Sequence, residues 1–89
     1  MLLISFIITY HNEPLPWLEE CVRSVLLVAE EFERVEGTPV AEIIVVDDGS
    51  HVSPKQMLLQ INEQIRYVYQ ENAGLSAARN RGVEMAKGE

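Results

Sequence analysis

Residues 42–50 of this chain, EIIVVDDGS, decide its fold. Residues 43–46 are all β-branched and apolar, without the apolar–polar alternation of a strand that faces water on one side. Such a run is typical of a strand buried on both faces of a parallel sheet. The run stops at the acidic pair Asp47 and Asp48, and Gly49 follows. We therefore predict a buried parallel strand over residues 42–47 that leads into a polar turn.

Two further strands and three helices are predicted around this strand. Residues 2–9 form another continuous apolar run, and residues 66–70 alternate in the manner of an edge strand. Amphipathic segments predict helices over residues 15–36, 54–64 and 75–87. The order β-α-β-α-β-α with short connections predicts a three-layer α/β/α, Rossmann-like fold, whose parallel strands are joined by right-handed crossovers.

Spacing and capping residues support each helix. Ser53 before Pro54 predicts a hydroxyl cap for the second helix, with proline at its first position. Gly37 and Pro39 form a stop signal after the first helix. The residues expected to face the sheet from the first helix are Leu15, Leu18, Val22, Val25, Leu26, Ala29 and Phe32. The residues of the third helix that are expected to face the sheet are Leu75, Ala78, Gly82 and Met85 or Ala86. The small residues among them would let this helix pack closely on the sheet.

Composition limits the function. With 89 residues the chain is one small domain at most, and its net charge of −7 argues against nucleic-acid binding and against an anionic membrane surface. No apolar run approaches the ~20 residues that span a bilayer, and residues 1–8 are expected to form a strand, not a signal peptide. The single cysteine, Cys21, excludes an internal disulfide, suits a reducing cytoplasm and is expected to be buried.

The polar residues collect where the three strands end, at the edge of the sheet where ligands bind in open parallel folds. The first strand is followed by Thr9, Tyr10, His11, Asn12 and Glu13, the second by Asp47, Asp48, Gly49 and Ser50, and the third by Glu71, Asn72, Ala73 and Gly74. We expect these loops to form one site.

Each candidate residue also has a simpler interpretation. Asp47 and Asp48 either meet hydrogen-bond donors of a base or sugar, or form an ordinary turn closed by Gly49. His11 is a stacking ring, a metal ligand or a loop histidine satisfied by the backbone, and no second histidine or cysteine lies at ligand spacing. Arg79 or Arg81 either reaches a pyrophosphate or forms a surface salt bridge.

Other features of the sequence have plainer interpretations. Glu13 before Pro14 suits the first turn of a helix, and Trp17 is expected to serve packing. The glycine spacing does not fit the dinucleotide fingerprint, and there is no GxxxxGK[ST] loop. Nicotinamide cofactors and P-loop hydrolysis are therefore poor candidates.

Taken in order, SFIITYHNE, EIIVVDDGS and QENAGLSAARNRGVEMAKGE resemble the blocks of family 2 glycosyltransferases of the GT-A fold. The resemblance implies that residues 1–89 are a single partial domain, the nucleotide-sugar-binding half of such an enzyme. It also implies a nucleotide-diphosphate sugar as donor, commonly of uridine, guanosine or thymidine. The acceptor would be a hydroxyl of a saccharide or a lipid-linked glycan. The enzyme would take part in the synthesis of cell-surface polysaccharide, and it would be located in the cytoplasm or at the inner face of the membrane.

The resemblance also assigns roles to residues. It implies that Asp48 binds the base or ribose, with Asp47 in support and Gly49 and Ser50 shaping the turn. The loop after the first strand would cradle the base through Thr9, Tyr10, His11 and Glu13, while Asn72, Gly74 and Arg79 line the nucleotide from the far side. A tyrosine commonly holds the place of His11, so this histidine departs from the family pattern.

In the family, a strand after the third block carries an aspartate-containing motif for Mg²⁺ or Mn²⁺, and this chain ends at Glu89. We therefore expect no metal ligands and no catalytic residues here, so that the chain alone binds nucleotide without completing transfer. The next strand would pair beside the first, so we expect the edge of residues 2–9 to form a homo-oligomer.

Two other classes remain alternatives. Paired aspartates after a strand are found in Mg²⁺-dependent phosphatases and phosphoacceptor domains, although DDGS lacks the spacer of the DxDGT motif and follows the second strand. A non-catalytic interaction domain that works through its sheet edge is the other.

Overall fold

The computed structural model describes residues 4–37 and 41–86. The predicted α/β class is confirmed, with all elements in the predicted order. They are β1 (Ile4–Tyr10), α1 (Leu15–Glu36), β2 (Ala41–Asp48), α2 (Lys55–Ile61), β3 (Arg66–Gln70) and α3 (Leu75–Met85). Residues 2 and 3 of the predicted first strand, and Lys87 of the predicted third helix, lie outside the described residues.

The strands form a parallel sheet, as predicted, in the order β1-β2-β3, with β2 in the centre. The register places Tyr10 opposite Asp47, and Asp48 opposite Gln70. The three strands therefore end at the same level, and the loops that follow them emerge side by side.

Successive side chains of β2 point to opposite faces of the sheet and pack into two cores, which gives the fold three layers. Ile43 and Val45 pack with Leu18 and Val22 of α1 and Leu58 of α2. The intervening Ile44 and Val46 pack with Ala78 of α3 on the other face. Each of these buried leucine, isoleucine and valine side chains contributes roughly 1.5–3 kcal/mol by leaving water. The predicted α/β/α layering is confirmed.

The third helix lies unusually close to the sheet. A Cβ atom added at Gly82 would overlap Cγ2 of Ile7, so no other residue fits unless the Ile7 side chain, β1 or α3 shifts. Ala78 is also fully buried, as the small-residue face predicted. Leu75 was expected on this face as well, but it is exposed because it stands at the first turn, beyond the end of the sheet.

The ends of β1 and α2 differ from the predicted ends by one to three residues. At α2, local side-chain hydrogen bonds take the place of further helical turns. The strand β1 extends one residue further than predicted, to Tyr10. The helix α2 begins at Lys55, whose N–H donates to Ser53 Oγ at 3.2 Å. It ends at Ile61 instead of residue 64, because Asn62 is extended and its Oδ1 accepts the N–H of Gln64 at 2.8 Å.

Three predictions for α1 are wrong. Trp17 is 49% exposed and Phe32 is 40% exposed, while Cys21 is only half-buried. A helix of 22 residues is about 33 Å long, whereas the 8 residues of β2 span about 26 Å. Phe32 therefore lies near the end that extends past the sheet, beyond Ala29, the last buried residue of α1. Trp17 and Cys21 directly precede the fully buried Leu18 and Val22, so their exposure reflects the side of the helix that they occupy. No helix in the described parts of the chain is long and apolar enough to cross a membrane.

Candidate functional site

The loops after β1, β2 and β3 meet around an open cavity of about 300 Å³. Its walls bring together most of the predicted site residues from distant parts of the sequence. They are Thr9, Tyr10, His11, Glu13, Asp48, Asn72 and Gly74, joined by Leu75 and Ala78 of α3. A second cavity of similar size lies at the opposite end of the sheet, where Ala41 and Arg66 line it, and has none of these residues in its walls.

Asp48 organises the cavity by holding the loop after β3. Its Oδ1 accepts hydrogen bonds from Ala73 N at 2.8 Å and Gln70 Nε2 at 2.9 Å, and its Oδ2 accepts one from Gly74 N at 2.9 Å. These bonds, led by that from the Gln70 amide, lower the pKa of the Asp48 carboxyl against the opposing effect of burial. The residue is only 4% exposed, so an ionised carboxylate is stabilised inside the protein by neutral donors.

Asp47 supports the turn from behind and does not reach the cavity. It is 0% exposed, and its Oδ1 accepts the N–H of Ser50 at 2.9 Å while its Oδ2 accepts the hydroxyl of Tyr67 at 2.6 Å. Burial, followed by the bond to Asp47, raises the pKa of Tyr67 to about 12. A carboxylate enclosed in this way is not accessible to a phosphoryl donor, which counts against the phosphoacceptor alternative.

Gly49 is required both by its backbone conformation and by its neighbour. Its φ is +78°, in the left-handed region, and a Cβ atom there would stand 2.7 Å from the backbone nitrogen of Asn72. The turn after β2 and the loop after β3 therefore touch through backbone atoms. Ser50 ties the same turn to the first loop, because its Oγ accepts the N–H of Asn12 at 2.9 Å.

Asn12 completes the connection between the first two loops. Its φ of +56° is one that asparagine tolerates better than most residues. This conformation lets the side-chain oxygen accept the N–H of His51 at 2.8 Å. The two loops are thus cross-linked by Asn12 in both directions, through its own N–H and its own side chain.

His11 joins all three loops with one exposed ring. Its Nδ1 lies 2.6 Å from the carbonyl oxygen of Asp48, which can only accept, so Nδ1 carries the proton. In that tautomer Nε2 is an acceptor, and Asn72 Nδ2 lies 3.4 Å from it. Of the interpretations open at the sequence level, the structure shows a loop histidine satisfied by backbone, at the wall of the cavity.

Tyr10 and Glu13 shape the first loop. Tyr10 is buried in the core beside α1, and its hydroxyl donates to the carbonyl oxygen of Glu13 at 2.6 Å. Burial, then the charges of Glu13 and Asp47, raise the pKa of this phenol. The Glu13 carboxylate accepts the N–H of His11 at 2.5 Å. Both residues thus fix the position of His11, and Thr9 is half-buried beside them.

The two arginines of α3 lie apart from the cavity. Arg79 and Arg81 are exposed, neither lines the cavity, and neither forms an ion pair within the part of the chain that the structure describes. The predicted salt bridge of Arg81 is therefore not seen among those residues. A role for Arg79 at a pyrophosphate remains a prediction.

Sequence reasoning missed Gln70 and Tyr67, which hold the two aspartates. Gln70 begins the third block, and its position opposite Asp48 is set by the register of β2 with β3. Tyr67 lies in β3, where successive side chains alternate between the two faces of the sheet. It is on the face covered by α1 and α2, and there its hydroxyl reaches Asp47. A polar residue at a strand end was the available signal for Gln70.

A divalent metal does not fit the residues described here. Both oxygens of Asp47 and both of Asp48 already accept protein donors. Across residues 4–37 and 41–86, no three histidine, cysteine or acidic side chains are grouped closely enough to hold an ion.

The fold and the cavity define a Rossmann-like α/β domain with a ligand crevice at the carboxyl ends of its strands. A family model described as glycosyl transferase family 2 matches residues 5–89, and the chain belongs to this family. An uncharacterized glycosyltransferase of Rickettsia typhi is 34% identical over 87 residues, covering 98% of this chain and 24% of the relative. The uncharacterized glycosyltransferase EpsJ of Bacillus subtilis is 33% identical over 89 residues, covering 97% and 23%.

A third relative has a similar identity and a similar covered share of each chain. The glycosyltransferase GlyG of Streptococcus pneumoniae is 33% identical over 91 aligned positions, covering 98% of this chain and 27% of the relative. The chain thus spans about a quarter of the length of these curated relatives. The matched quarter contains all three loops of the cavity, because the alignments run along nearly the whole chain.

Proposed function

We propose that this chain is the donor-binding part of an enzyme that transfers a sugar from a nucleotide-diphosphate sugar to an acceptor hydroxyl. Glycosyl transfer follows from the family. The observation that supports donor binding is the convergence of three loops on Asp48, at the edge of the sheet where such folds bind ligands.

The charges around the cavity support an orientation for the nucleotide. Asp48 and Glu13 are acidic, and no cation lines the cavity walls as described. This end would repel a diphosphate and attract the hydrogen-bond donors of a base or ribose. The diphosphate would then lie away from Asp48, towards Arg79, an exposed cation of α3 outside the cavity.

The chemistry of transfer needs groups that the described residues do not supply. In the proposed enzyme, a Mg²⁺ or Mn²⁺ ion would neutralise charge on the departing diphosphate. We propose that its ligands and the catalytic base belong to the remainder of a longer protein, since the relatives are about four times as long. The role of the present residues is to bind and orient the donor, and the chain alone would not complete transfer.

The acceptor and the setting are proposals of the same kind. We propose a hydroxyl of a saccharide or lipid-linked glycan as acceptor, and a cytoplasmic location for the donor site. The lone thiol of Cys21 is compatible with a reducing compartment.

Calorimetric titration with nucleoside diphosphates tests the proposal. We expect the chain to bind at least one of them, and Asp48→Ala to weaken binding about tenfold or more, because it removes the acceptor and releases the loop after β3. Glu20→Ala, which removes an exposed carboxylate on α1, controls for net charge and should bind like the wild type. No binding of any nucleoside diphosphate, or equal binding by the Asp48 variant, would overturn the proposal.

A further inference from the structure

His11 joins the loops of the cavity through a ring that can change its charge. Its Nδ1–H donates to the carbonyl oxygen of Asp48 at 2.6 Å, so Nε2 is the atom that gains a proton when the ring becomes an imidazolium. Histidine is the side chain that ordinarily changes its charge between about pH 5 and 8. The proton therefore enters and leaves at Nε2, while the bond to Asp48 stays in place.

Two side-chain amides present their nitrogen atoms to this ring. Asn12 Nδ2 lies 3.5 Å from Nε2, and Asn72 Nδ2 lies 3.4 Å from Nε2 and 3.3 Å from Nδ1. The orientation of each amide is set by a second neighbour. Asn72 Nδ2 lies 3.3 Å from the carbonyl oxygen of Asp48, and Asn12 Oδ1 accepts the N–H of His51. An amide nitrogen is only a donor, so both amides suit a neutral ring and oppose a proton on Nε2.

Of these two amides, that of Asn72 is the one able to turn. Turning Asn12 would take its Oδ1 away from a 2.8 Å bond with the turn after β2. The backbone beside Asn72 is held in place, because the N–H groups of Ala73 and Gly74 donate to Asp48. Half a turn of the Asn72 side chain gives up the 3.3 Å contact with the Asp48 carbonyl oxygen and lets Oδ1 accept the new N–H of the ring.

Asn72 lines the cavity, so the orientation of its amide decides which group this wall presents. Beside the neutral ring, the amide nitrogen is engaged by the ring and by Asp48, and the amide oxygen is left for a ligand. Beside the protonated ring, the oxygen is engaged and the N–H groups are left. The wall thus presents an acceptor at high pH and a donor at low pH.

We infer that His11 is a positioning residue for nucleotide binding: its neutral ring keeps the oxygen of Asn72 towards the cavity, and protonation of the ring turns that amide and weakens binding. This inference rests on the proposed function, in which the acidic end of the cavity receives the hydrogen-bond donors of a base or ribose. Protonation removes one acceptor from this end and adds a positive charge, and both changes disfavour such donors.

The charged groups around His11 favour its protonation. The carboxylates of Glu13, after β1, and of Asp48, on β2, lie near the ring. Glu71 precedes Asn72 in the loop after β3, and no cation lines the cavity walls as described. These negative charges stabilise the imidazolium, so the change of orientation does not require an unfavourable charge in the protein.

Nuclear magnetic resonance tests the turning of the amide on the ligand-free chain. The side-chain amide signals of Asn72 should shift with pH and share their midpoint with the ring signals of His11. They should stop shifting in His11→Asn, which keeps a donor for the Asp48 carbonyl oxygen but has no ionisable ring. His51→Asn, which removes the other histidine of the chain, should leave the titration of Asn72 unchanged. Amide signals that ignore pH, or that titrate equally in His11→Asn, would overturn the inference.

Calorimetry with the nucleoside diphosphate that binds best gives the functional readout. From pH 8 to pH 5.5 the wild type should lose about threefold or more in affinity relative to His11→Asn. This ratio cancels the titration of the phosphates of the ligand, and His51→Asn should follow the wild type. A ratio that stays constant with pH would contradict the inference and leave donor binding in place. If no nucleoside diphosphate binds at either pH, the proposed function fails, and the inference fails with it.

Discussion

The backbone nitrogen of Asn72 occupies the space that a side chain at Gly49 would need. A Cβ atom on Gly49 would stand 2.7 Å from that nitrogen, and the φ of Gly49 is +78°. Two loops that are far apart in sequence thus approach through backbone atoms alone. We expect Gly49→Ala to destabilise the chain and to weaken nucleotide binding, because relief of the clash would move Asn72 out of the cavity wall.

Gly37→Ala is the matched control for this substitution. Gly37 has nearly the same φ, +79°, but a Cβ atom there would meet no atom of residues 4–37 or 41–86 within 4 Å. It should lose about 1–2 kcal/mol of unfolding free energy from backbone strain alone and bind nucleotide normally. Denaturant titration would show a larger loss for Gly49→Ala, and equal losses would mean that the contact with Asn72 is unimportant.

Tyr67→Phe should destabilise the chain by about 1–3 kcal/mol, because it leaves Oδ2 of a completely buried aspartate without its donor. Tyr69→Phe removes the same hydroxyl from the same strand at a residue that is 55% exposed, and it should cost little. The midpoints of urea unfolding compare the two variants. Equal stability would show that Asp47 does not depend on this bond.

Gly82→Ala should cost about 1–3 kcal/mol by overpacking, since its Cβ would overlap Cγ2 of Ile7. Combining it with Ile7→Ala, which removes that atom, should recover part of the loss. The double-mutant cycle then gives a favourable coupling between the two substitutions. Simple additivity of the two costs would contradict the close packing of α3 on β1.

The pH dependence of stability should reveal the bonds to Asp48. Its pKa is lowered in the folded chain, so its stabilisation is present above the unfolded value near 4 and is lost as pH falls through the folded pKa. Gln70→Met removes the leading cause of the shift. The variant should therefore be less stable than wild type at pH 6, with the difference shrinking below about pH 4. Gln60→Met, on the exposed face of α2, should show no such trend.

The edge of β1 is proposed to pair with another chain. Among the described strands, β1 pairs only with β2, and it is rich in isoleucine. An unpaired apolar edge favours strand addition. We expect light scattering to show a dimer or larger oligomer, and hydrogen exchange in β1 to slow as concentration rises. A monodisperse monomer over the whole concentration range would contradict this proposal.

The sequence predicted the fold well because its central strand is apolar on both faces and stops at Asp47. The convergence of the three loops followed from parallel strands ending together. The contacts that the sequence did not predict depend on the register of the strands and on the face of the sheet that each side chain occupies. The bond from Gln70 to Asp48 requires a particular alignment of β2 with β3, and Tyr67 reaches Asp47 only because of the face it occupies. The exposure of Phe32 depends on helix length relative to the sheet, which periodicity alone does not include.

The bonds from Asp48 to Ala73 and Gly74 join residues 25 and 26 positions apart in the chain. No short segment can form this cavity by itself, so it should appear and vanish in the same cooperative step as the sheet. Any molecule that occupies it would raise the melting temperature, by an amount equivalent to about 2.7 kcal/mol at a hundred times its dissociation constant. A thermal-shift survey of a compound library would thus search directly for molecules that bind in the cavity, the proposed donor among them.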